Sequence, residues 1–464
     1  MTLAAEARPR LSAATLARAR ADVLPAHRRI GAPTVAHLGV GAFARAHIGV
    51  FADDLLQSGH DALIAGVSLH SVRTTELMAP QDCYYTVAER EPGVAPRLRV
   101  VGSFVSVSTG TEAALRALCA PETNLVTLTI TEKGYELGPA ELEHPGRPTS
   151  AAGVTAHALD HWRRSGRRPP VIAALDNVAA NGSLLRSRVL QVAAALSPDL
   201  APWIEDEVAF PNSVVDRMVP ASRAVDLDEI GSQLGLADLA AVVTEEHRSW
   251  IVTAEARLAP WAESGVELVT DTGPYERRKL WLLNGPHSAL AYLGLLSGCT
   301  TIAEAADDRD LAVFAARVVS DVLAVAPFPD ALRPREFAGE ALRRFRNPAL
   351  GHTCTQVGAD GSHKLPQRFG EVVEARLRAG LSTTQFAIVV ALWIAAASGL
   401  EVQGRPLPAL DDPDAPLLQR RREAGLDALV RTALERRFDP VFIPSVASAL
   451  RRIVAEGIRV VRQS

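Results

Sequence analysis

The chain of 464 residues is too long for a single hydrophobic core and predicts two domains. Its net charge of −4 and the lack of a long basic block argue against a nucleic-acid partner. No apolar stretch is long enough to cross a membrane, and the four cysteines form no CxxC pair that would indicate structural zinc. We therefore expect a cytoplasmic, metal-free protein whose partners are small molecules.

The N-terminal 25 residues are rich in alanine and arginine and contain no continuous apolar core of the kind found in signal peptides. Ser12 stands where an N-cap residue would stand. The pattern predicts a helix capped by Ser12.

The segment from Thr34 to Gly59 has the pattern of a strand, a glycine turn and a helix. Residues 39–44, GVGAFA, fit the dinucleotide-binding fingerprint G-x-G-x-x-G/A. In that fingerprint Gly39 permits the tight turn, Gly41 lets the backbone approach a pyrophosphate, and the small Ala44 lets the helix pack on the strand. We therefore predict a Rossmann-type domain in which the helix N-terminus faces the phosphates of the cofactor.

The end of the second strand bears on the choice between NAD and NADP. Residues 62–69 predict this strand, and enzymes that use NAD commonly place an acid just after it to bind the ribose hydroxyls. Here the chain continues His70-Ser71-Val72-Arg73 without an acid, and Arg73 could instead meet a 2′-phosphate. The residues alone leave NAD and NADP open.

Further strands are predicted at 98–107, 124–131, 170–175 and 265–271. Polar residues follow several of them, and strand carboxyl ends face the ligand in open α/β sheets. Lys133 either pairs with Glu132 or has a function at this edge. The polar candidates of this half are Thr131, Lys133, Asn177, Asp216 and Arg217.

From Tyr275 onward apolar residues recur at intervals of three and four, which predicts helices. The fold class is therefore α/β, with a Rossmann-type dinucleotide-binding domain over 1–270 and a mostly α-helical catalytic or substrate domain over 271–464. Between these helices we expect a polar loop over 356–366, which contains Lys364.

Lysine is rare in this chain, because 46 of the 49 basic residues are arginines. A position that stays lysine suggests a task that arginine cannot perform, since arginine does not lose its proton in proteins. Lys279 lies in an apolar run, and at about 100° per residue Asn284 and His287 would lie roughly 140° and 80° from it on a helix. A base, an amide donor and an imidazole around one cavity suit proton removal from an alcohol. Pro286 predicts a local kink that tilts the two polar residues inward.

Six motifs occur in order: GVGAFARAH, TLTITEKGY, LDNVAANG, FPNSVVDRMVP, KLWLLNGPHSALAYLG and DGSHKLPQR. From about Leu11 to the C-terminus the chain resembles the mannitol dehydrogenase family of polyol-specific long-chain dehydrogenases. The resemblance implies zinc-independent hydride transfer between a nicotinamide cofactor, by family default NAD with NADP not excluded, and a secondary alcohol of an open-chain sugar derivative. It implies Lys279 as the general base, Asn177 and Asn284 as donors to the substrate oxygen, and His287 as a residue that orients this oxygen.

The resemblance extends to the remaining site residues. Glu276 falls where the family has an acid linked to proton passage to solvent. The residues expected at the cofactor are Gly39, Gly41, Phe43, Ala44, Arg45, Thr131 and Lys133. Those expected at the substrate are Asp216, Arg217, Gln356 and Lys364.

The chain departs from the best-known mannitol 2-dehydrogenases at Gln356, where those enzymes have an arginine eight residues before the substrate lysine. Gln356 resembles the fructuronate reductase (mannonate oxidoreductase) branch instead. The residues therefore leave two substrate–product pairs possible, mannitol/fructose and mannonate/fructuronate. The motifs contain no additional arginine cluster, which argues against mannitol 1-phosphate.

Two other interpretations compete with this one. The spacing of Tyr275 and Lys279 matches the Y-x-x-x-K of short-chain dehydrogenases, but those enzymes are about half this length and lack a large helical domain. A cofactor-binding sensor without catalysis would be expected to have lost Lys279, Asn284 or His287, and all three are present. We expect a monomer or a weak homo-oligomer.

Overall fold

The computed structural model describes residues 8–463, except for the side chains of Glu132, Lys133, Ala140 and Gln463. The chain divides into two compact units, Met1–Gly273 and Pro274–Ser464. The first is built around parallel sheet and the second is almost entirely helical. The predicted fold class is confirmed, whereas the predicted functional boundary between 270 and 271 stays a prediction.

A five-stranded parallel sheet forms the centre of the first unit, with the strand order β5-β2-β1-β6-β7. The strands β1, β6 and β7 are buried along their whole length, which is expected for parallel strands covered on both faces. Two separate apolar clusters fill the two faces. The strands of this sheet are β1 Val35–Leu38, β2 Ile64–Ser68, β5 Phe104–Thr109, β6 Leu125–Leu128 and β7 Val171–Ala174.

Two three-stranded sheets complete this unit, with the orders β4-β3-β9 and β11-β10-β8. Their strands are β3 Tyr85–Glu89, β4 Arg97–Val101, β8 Ser213–Asp216, β9 Val242–Thr244, β10 Ser249–Thr253 and β11 Glu267–Val269. The helices of the unit are α1 Ala42–Ala46, α2 Ile48–Gln57, α3 Arg73–Met78, α4 Thr111–Leu118, α5 Pro139–Glu143, α6 Ala151–Ser165, α7 Asn181–Leu196, α8 Leu200–Glu207 and α9 Ala224–Leu234.

Two predictions in this unit are wrong. The strand expected over 98–107 is two strands in different sheets, because the chain bends at Gly102-Ser103. Over residues 8–25, the described part of the N-terminal segment, the chain forms the short 3-10 turns Leu16–Arg18 and Ala21–Val23 in place of a helix capped by Ser12. Contacts of this segment with an apolar cluster that includes strands β3, β4 and β9 override its helix propensity.

The second unit begins with α10 Gly273–Lys279, a π-helical turn Leu280–Asn284 and α11 Gly285–Ser297. The central helix α17, Thr384–Ser398, is buried on nearly all sides. A two-stranded hairpin is formed by β12 Glu401–Val402 and β13 Arg405–Pro406. The other helices are α12 Ile302–Asp307, α13 Arg309–Leu323, α14 Pro334–Phe345, α15 Cys354–Gly358, α16 Gly361–Arg378, α18 Ala415–Arg421, α19 Leu426–Leu434, α20 Ile443–Glu456 and α21 Arg459–Gln463. Across residues 8–463, none of the helices has the length and apolar character needed to cross a membrane.

Candidate active site

A cavity of about 660 Å³ lies at the carboxyl edge of the parallel sheet in the first unit. The ends of β1, β2 and β6 form its wall, through Gly39 and Gly41, Ser68 to Ser71, and Thr129 to Thr131. This edge is where open α/β folds bind nucleotides. The position of the cavity agrees with the predicted cofactor site.

The glycine turn after β1 requires glycine for a steric reason. Gly39 has a φ of +96°, and a Cβ atom on it would lie 2.0 Å from the carbonyl oxygen of Thr129. A Cβ on Gly41 would meet nothing within 4 Å, so this residue faces open space. Thr129 also donates from Oγ1 to the carbonyl of Gly39 at 2.6 Å. The turn is therefore braced from β6 and leaves room for a phosphate, which fits a dinucleotide.

His37 lies on β1 beneath this turn and is completely buried. Its Nδ1 lies 2.8 Å from Thr127 Oγ1, and its Nε2 lies 3.1 Å from Thr129 Oγ1. Burial lowers the pKa of His37 to about 4, so the imidazole is neutral near pH 7. A neutral ring adds no charge beneath the glycine turn that we expect to bind the cofactor phosphates.

The predicted cofactor residues divide into two groups. Gly39, Gly41 and Thr131 line the cavity, whereas the wall formed by the described residues does not include Phe43, Ala44 or Arg45. Ala44 and Arg45 are buried, and Phe43 stacks on His47 at 4.8 Å. Ala44 and Arg45 pack inside the unit and Phe43 packs against it while partly exposed, so we expect the three side chains to hold the turn in place, not to touch the cofactor.

The Lys133 side chain lies outside the described residues, and its role stays a prediction. At the β2 end of the cavity the wall is formed by His70, Ser71 and Thr74, and the described residues provide no carboxylate there. At this end the described wall thus carries no acid that would select for NAD, and Arg73, the residue that could meet a 2′-phosphate, is exposed and not part of the wall.

Asn177 follows β7 and is exposed to solvent. Asp216 ends β8 as a buried residue, and its Oδ2 lies 3.3 Å from His247 Nε2. The roles expected for both residues stay predictions. Asn177 and Lys279 belong to different units, and a shared role for them stays a prediction.

The prediction for Arg217 is corrected by its hydrogen bonds. Its guanidinium is buried and donates to the carboxylate of Glu89 at 2.6 Å, to the carbonyl of Ala46, and to the carbonyl of Glu245 at 2.9 Å. A substrate could bind Arg217 only by displacing these partners. We therefore assign it a structural role that joins β8 to β3 and α1.

The second unit places Lys279 at the end of α10, directly before the π-helical turn, and Asn284 at the end of that turn. A π-helix closes hydrogen bonds between residues five apart, as the bond from the Gly285 N–H to the Leu280 carbonyl shows. Residues 279 and 284 are also five apart, so the π turn brings them toward one face. The kink expected at Pro286 is thus a π-helical turn immediately before it, a feature frequent at functional sites.

The side chain of Asn284 is buried, with 6% exposed, and its Nδ2 atom has no hydrogen-bond partner. Its backbone carbonyl accepts a hydrogen bond from Arg368 Nη1 at 3.1 Å. A buried amide donor without a partner costs about 1–3 kcal/mol, which a bound substrate oxygen would recover. This is the donor expected at a developing alkoxide.

His287 lies one turn into α11 and stacks on Phe345, with ring centroids 4.6 Å apart. Its Nε2 atom is buried and has no hydrogen-bond partner. Burial lowers the pKa of His287 well below its ordinary value, and the neighbouring His352 and the guanidinium groups of Arg368 and Arg344 add to this effect. The imidazole is therefore neutral and can donate or accept a single hydrogen bond to a substrate hydroxyl.

Glu276 lies three residues before Lys279 on α10, and both side chains are half-buried. Residues three apart lie on the same helix face. This spacing suits the predicted relay of a proton between Lys279 and solvent, which stays a prediction.

The polar loop expected over 356–366 is wrong, because two helices, α15 and α16, occupy this segment. Asp360 in the left-handed conformation separates them. Gln356 is exposed and caps α15, accepting from the Thr353 N–H at 3.2 Å. Lys364 lies in the first turn of α16 and donates from Nζ to the Ala359 carbonyl at 2.7 Å.

Three residues near His287 were missed by sequence reasoning: Arg344, His352 and Arg368. Arg368 ends the DGSHKLPQR motif, and this was the only available signal. Because arginine is so common in this chain, one arginine in a motif does not indicate a functional residue. The six motifs contain no additional arginine cluster, but Arg344, which lies outside them, and Arg368 are both near His287 in the structure. Within the described chain, no group of three histidine, cysteine or acidic side chains could hold a metal ion.

Comparison with known proteins gives the family. Residues 33–261 match the mannitol dehydrogenase Rossmann domain, and residues 271–453 match the mannitol dehydrogenase C-terminal domain. D-mannonate oxidoreductase of Escherichia coli is 35% identical over 72% of this chain and 73% of its own length. Mannitol dehydrogenase 2 of Saccharomyces cerevisiae is 30% identical over 88% of this chain and 87% of its own length.

Among solved structures, the ternary complex of Pseudomonas fluorescens mannitol 2-dehydrogenase with NAD and D-mannitol is similar over 98% of this chain and 99% of that one. Its TM-score is 0.87 and its sequence identity is 28%. Both domains, their order and their folds therefore agree. This chain belongs to the mannitol dehydrogenase family.

Proposed function

We propose that this chain is an NAD-dependent dehydrogenase that interconverts a secondary hydroxyl of an open-chain polyol or sugar acid and the corresponding ketone. The observation that carries the proposal is the buried, unpartnered Nδ2 of Asn284 at the end of the π-helical turn that begins after Lys279. The names of its relatives, a mannonate oxidoreductase and mannitol dehydrogenases, support the same reaction class.

The cavity at the edge of the parallel sheet would hold the dinucleotide, with Gly39 and Gly41 at the phosphates and Thr131 on the wall. The bound nicotinamide supplies the acceptor or donor of the hydride. The chain itself has to bind the substrate, move one proton and stabilise charge on one oxygen.

Lys279 is the proposed base in the direction of alcohol oxidation. Its neutral amine takes the hydroxyl proton, which a guanidinium at the same position cannot do. Asn284 donates from Nδ2 to the oxygen as negative charge develops on it, and one such preorganised donor contributes about 3 kcal/mol in comparable sites. In the reverse direction the same two groups polarise and protonate the ketone.

His287 supports this chemistry as a neutral hydrogen-bonding group. A protonated imidazole would compete with Lys279 for the role of proton donor, and the lowered pKa of His287 prevents this. The contacts of Asn177 and Asp216 with substrate, and the proton relay through Glu276, belong to this proposal as predictions from the family resemblance.

The sugar-acid branch is a second candidate that a specific observation favours. Arg344, Arg368 and Lys364 all lie close enough to His287 to lower its pKa. This positive environment suits a substrate that carries a carboxylate. Gln356 and the mannonate oxidoreductase of E. coli point the same way.

The test is the rate of NADH oxidation by the purified protein with D-fructose and, separately, with D-fructuronate. A preference for fructuronate would indicate that the positive environment near His287 binds a substrate carboxylate. A preference for fructose would indicate a mannitol dehydrogenase that lacks the usual arginine at position 356. A sugar phosphate serves as a third substrate, because the arginines near His287 remove the earlier argument against it. NADH binding without turnover on any polyol, keto-sugar or sugar acid would contradict the proposal and favour a sensor.

The preference for NADH or NADPH can be measured on the same purified protein. We expect NADH to be used, and NADPH to be rejected only weakly because the described wall at the β2 end has no carboxylate. Titration of protein fluorescence with each cofactor measures the two dissociation constants. A cytoplasmic location also belongs to this proposal and agrees with four cysteines that are free thiols.

A further inference from the structure

Asp176 is a buried carboxylate directly before Asn177, at the carboxyl edge of the parallel sheet. It follows β7 and is 7% exposed. The hydroxyl of Tyr135 donates to its Oδ2 at 2.6 Å, and the backbone N–H of Ile130, a second donor nearby, stabilises the charged form of the same carboxylate. A buried acid is costly unless its oxygens are bonded in this way, so a specific task is expected for it.

The two donors come from the segment that follows β6. Ile130 lines the cofactor cavity, together with Thr131 and Gly134 from the same segment. Tyr135 ends the 3-10 turn of this segment and is buried. The Asp176 carboxylate therefore joins one wall of the cavity to the segment that carries Asn177.

The other end of the Asn177 segment is fixed by Asn181, the first residue of α7. Its Nδ2 donates to the carbonyl oxygens of Asp176 and Ser213, both at 2.9 Å, and its Oδ1 accepts from the Ser213 N–H at 2.9 Å. Residues 176 to 181 are thus held at both ends. Asn177 is exposed between these two fixed points.

We propose that Asp176 is a positioning residue that, through Tyr135 and Ile130, couples the wall of the cofactor cavity to the placement of Asn177. This inference rests on the proposed function, in which Asn177 contacts the substrate oxygen. We expect no contact of Asp176 with the substrate, because its carboxylate is buried and bonded to Tyr135.

The ionised form of Asp176 makes the stronger coupling, since hydrogen bonds to a charged acceptor are shorter and stronger than those to a neutral one. Burial raises the pKa of Asp176 to about 7, while its bonds to Tyr135 and Ile130 oppose the rise. The other described ionisable side chains on the adjoining segments are Glu136 after β6, Arg186 and Arg188 on α7 and Asp216 on β8, and none of them contributes to this shift. The coupling therefore strengthens as the pH rises through about 7.

The first experiment is a double-mutant cycle on kcat with Asp176→Asn and Asn177→Ala. Asparagine keeps the shape of Asp176 but presents an amide N–H₂ to one of its two donors. We expect Asp176→Asn to lower kcat about tenfold with a smaller change in KM, and to have no further effect in the Asn177→Ala background. Thr123→Val is the matched control, because it removes another buried hydroxyl bond of the same unit, from Thr123 to the Ala117 carbonyl at 2.9 Å. This control should retain kcat.

The outcomes separate the inference from the proposed function. If Asn177→Ala leaves kcat unchanged, the proposed role of Asn177 fails and the inference fails with it. If Asn177→Ala lowers kcat and the effect of Asp176→Asn simply adds to it, the inference alone is overturned. Tyr135→Phe serves where Asp176→Asn does not fold, and it should give the same non-additivity with Asn177→Ala.

The second experiment uses pH. The ratio of wild-type kcat to that of Asp176→Asn should rise as the pH increases through about 7, whereas the same ratio for Thr123→Val should stay flat. In Tyr135→Phe the rise should move to higher pH, because the carboxylate loses a donor that lowers its pKa. A ratio for Asp176→Asn that does not change with pH would contradict the proposal and leave Asp176 a purely structural residue.

Discussion

Arg368 donates a hydrogen bond to the backbone carbonyl of Asn284 and holds the end of the π-helical turn, while the side-chain amide of Asn284 keeps its own donor unpartnered. Arg368 is itself buried and also donates to Ser288 Oγ on α11. The backbone at Asn284 is therefore fixed from α16, and its amide is preorganised. Preorganised donors are the main source of transition-state stabilisation in sites of this kind.

The amide of Asn284 should be essential for turnover. We expect Asn284→Ala to lower kcat by about 10²–10³-fold, because one preorganised donor to the developing alkoxide is lost. The dissociation constant of NADH, measured by fluorescence, should change less than twofold. Ser398→Ala is the control in the same unit, since the Ser398 hydroxyl is buried but bonds only within α17, to Ile394 and Ala395. A kcat of Asn284→Ala within threefold of wild type would contradict this role.

Arg368 should affect both stability and catalysis. Arg368→Met removes the hydrogen bonds from Arg368 to the Asn284 carbonyl and the Ser288 hydroxyl, and we expect a loss of about 1–3 kcal/mol in stability together with a lower kcat. Thermal unfolding and steady-state kinetics measure the two effects.

Arg376 provides the matched control for this experiment. It is also a buried arginine of α16 and donates to the carbonyls of Ser382 and Asp321 at 2.6 and 2.7 Å. Arg376→Met should lower the unfolding temperature and leave kcat unchanged. Equal effects of the two variants on kcat would show that Arg368 acts only through stability.

His287 should contribute no titration to the activity around its ordinary pKa of 6.5, because burial and nearby cations hold its pKa well below that value. His287→Asn should lower kcat/KM but keep the apparent pKa values of the wild-type pH profile. The profile of kcat/KM for both proteins is the measurement. Loss of a step near pH 6 in the variant would contradict a neutral His287.

His37 predicts a pH dependence of stability. Its pKa in the folded protein is about 4 and the ordinary value is 6.5, so the unfolded chain binds the proton more strongly between these values. The contribution of His37 to stability is therefore complete above pH 6.5 and falls by about 1.4 kcal/mol per pH unit below it. Urea unfolding of wild type and His37→Asn from pH 4.5 to 7 should show the steeper loss in wild type. Parallel curves would mean that His37 is not buried in its neutral form.

The parts of the fold that could be predicted from sequence are those fixed by local patterns. The β1 strand and its glycine turn follow from a short apolar run and from the steric demand at Gly39, where Thr129 leaves no room for a Cβ. The helical second unit follows from apolar residues at intervals of three and four. The positions of Gly39, Gly41 and Thr131 on the cavity wall follow from these elements.

What could not be predicted depends on distant contacts. The π-helical turn differs from an α-helix only in its backbone hydrogen-bond pattern, and Pro286 was the one local signal for it. The Arg217 guanidinium donates its hydrogen bonds to Glu89, Ala46 and Glu245, which lie on segments far apart in sequence. The helix that carries Lys364 was hidden by a polar composition typical of loops. In each case tertiary packing overrides the local preference.

The most direct test of the central claim is the comparison of Lys279→Arg and Lys279→Ala with wild type, using the best substrate at pH 7 to 9 and a parallel titration with NADH. If Lys279 is the base, both variants should lose at least about 10³-fold in kcat, because a guanidinium carries the charge but cannot accept the proton. Both should bind NADH as wild type does. A Lys279→Arg variant that retains kcat within tenfold would show that only the positive charge is needed, and would contradict the proposed mechanism.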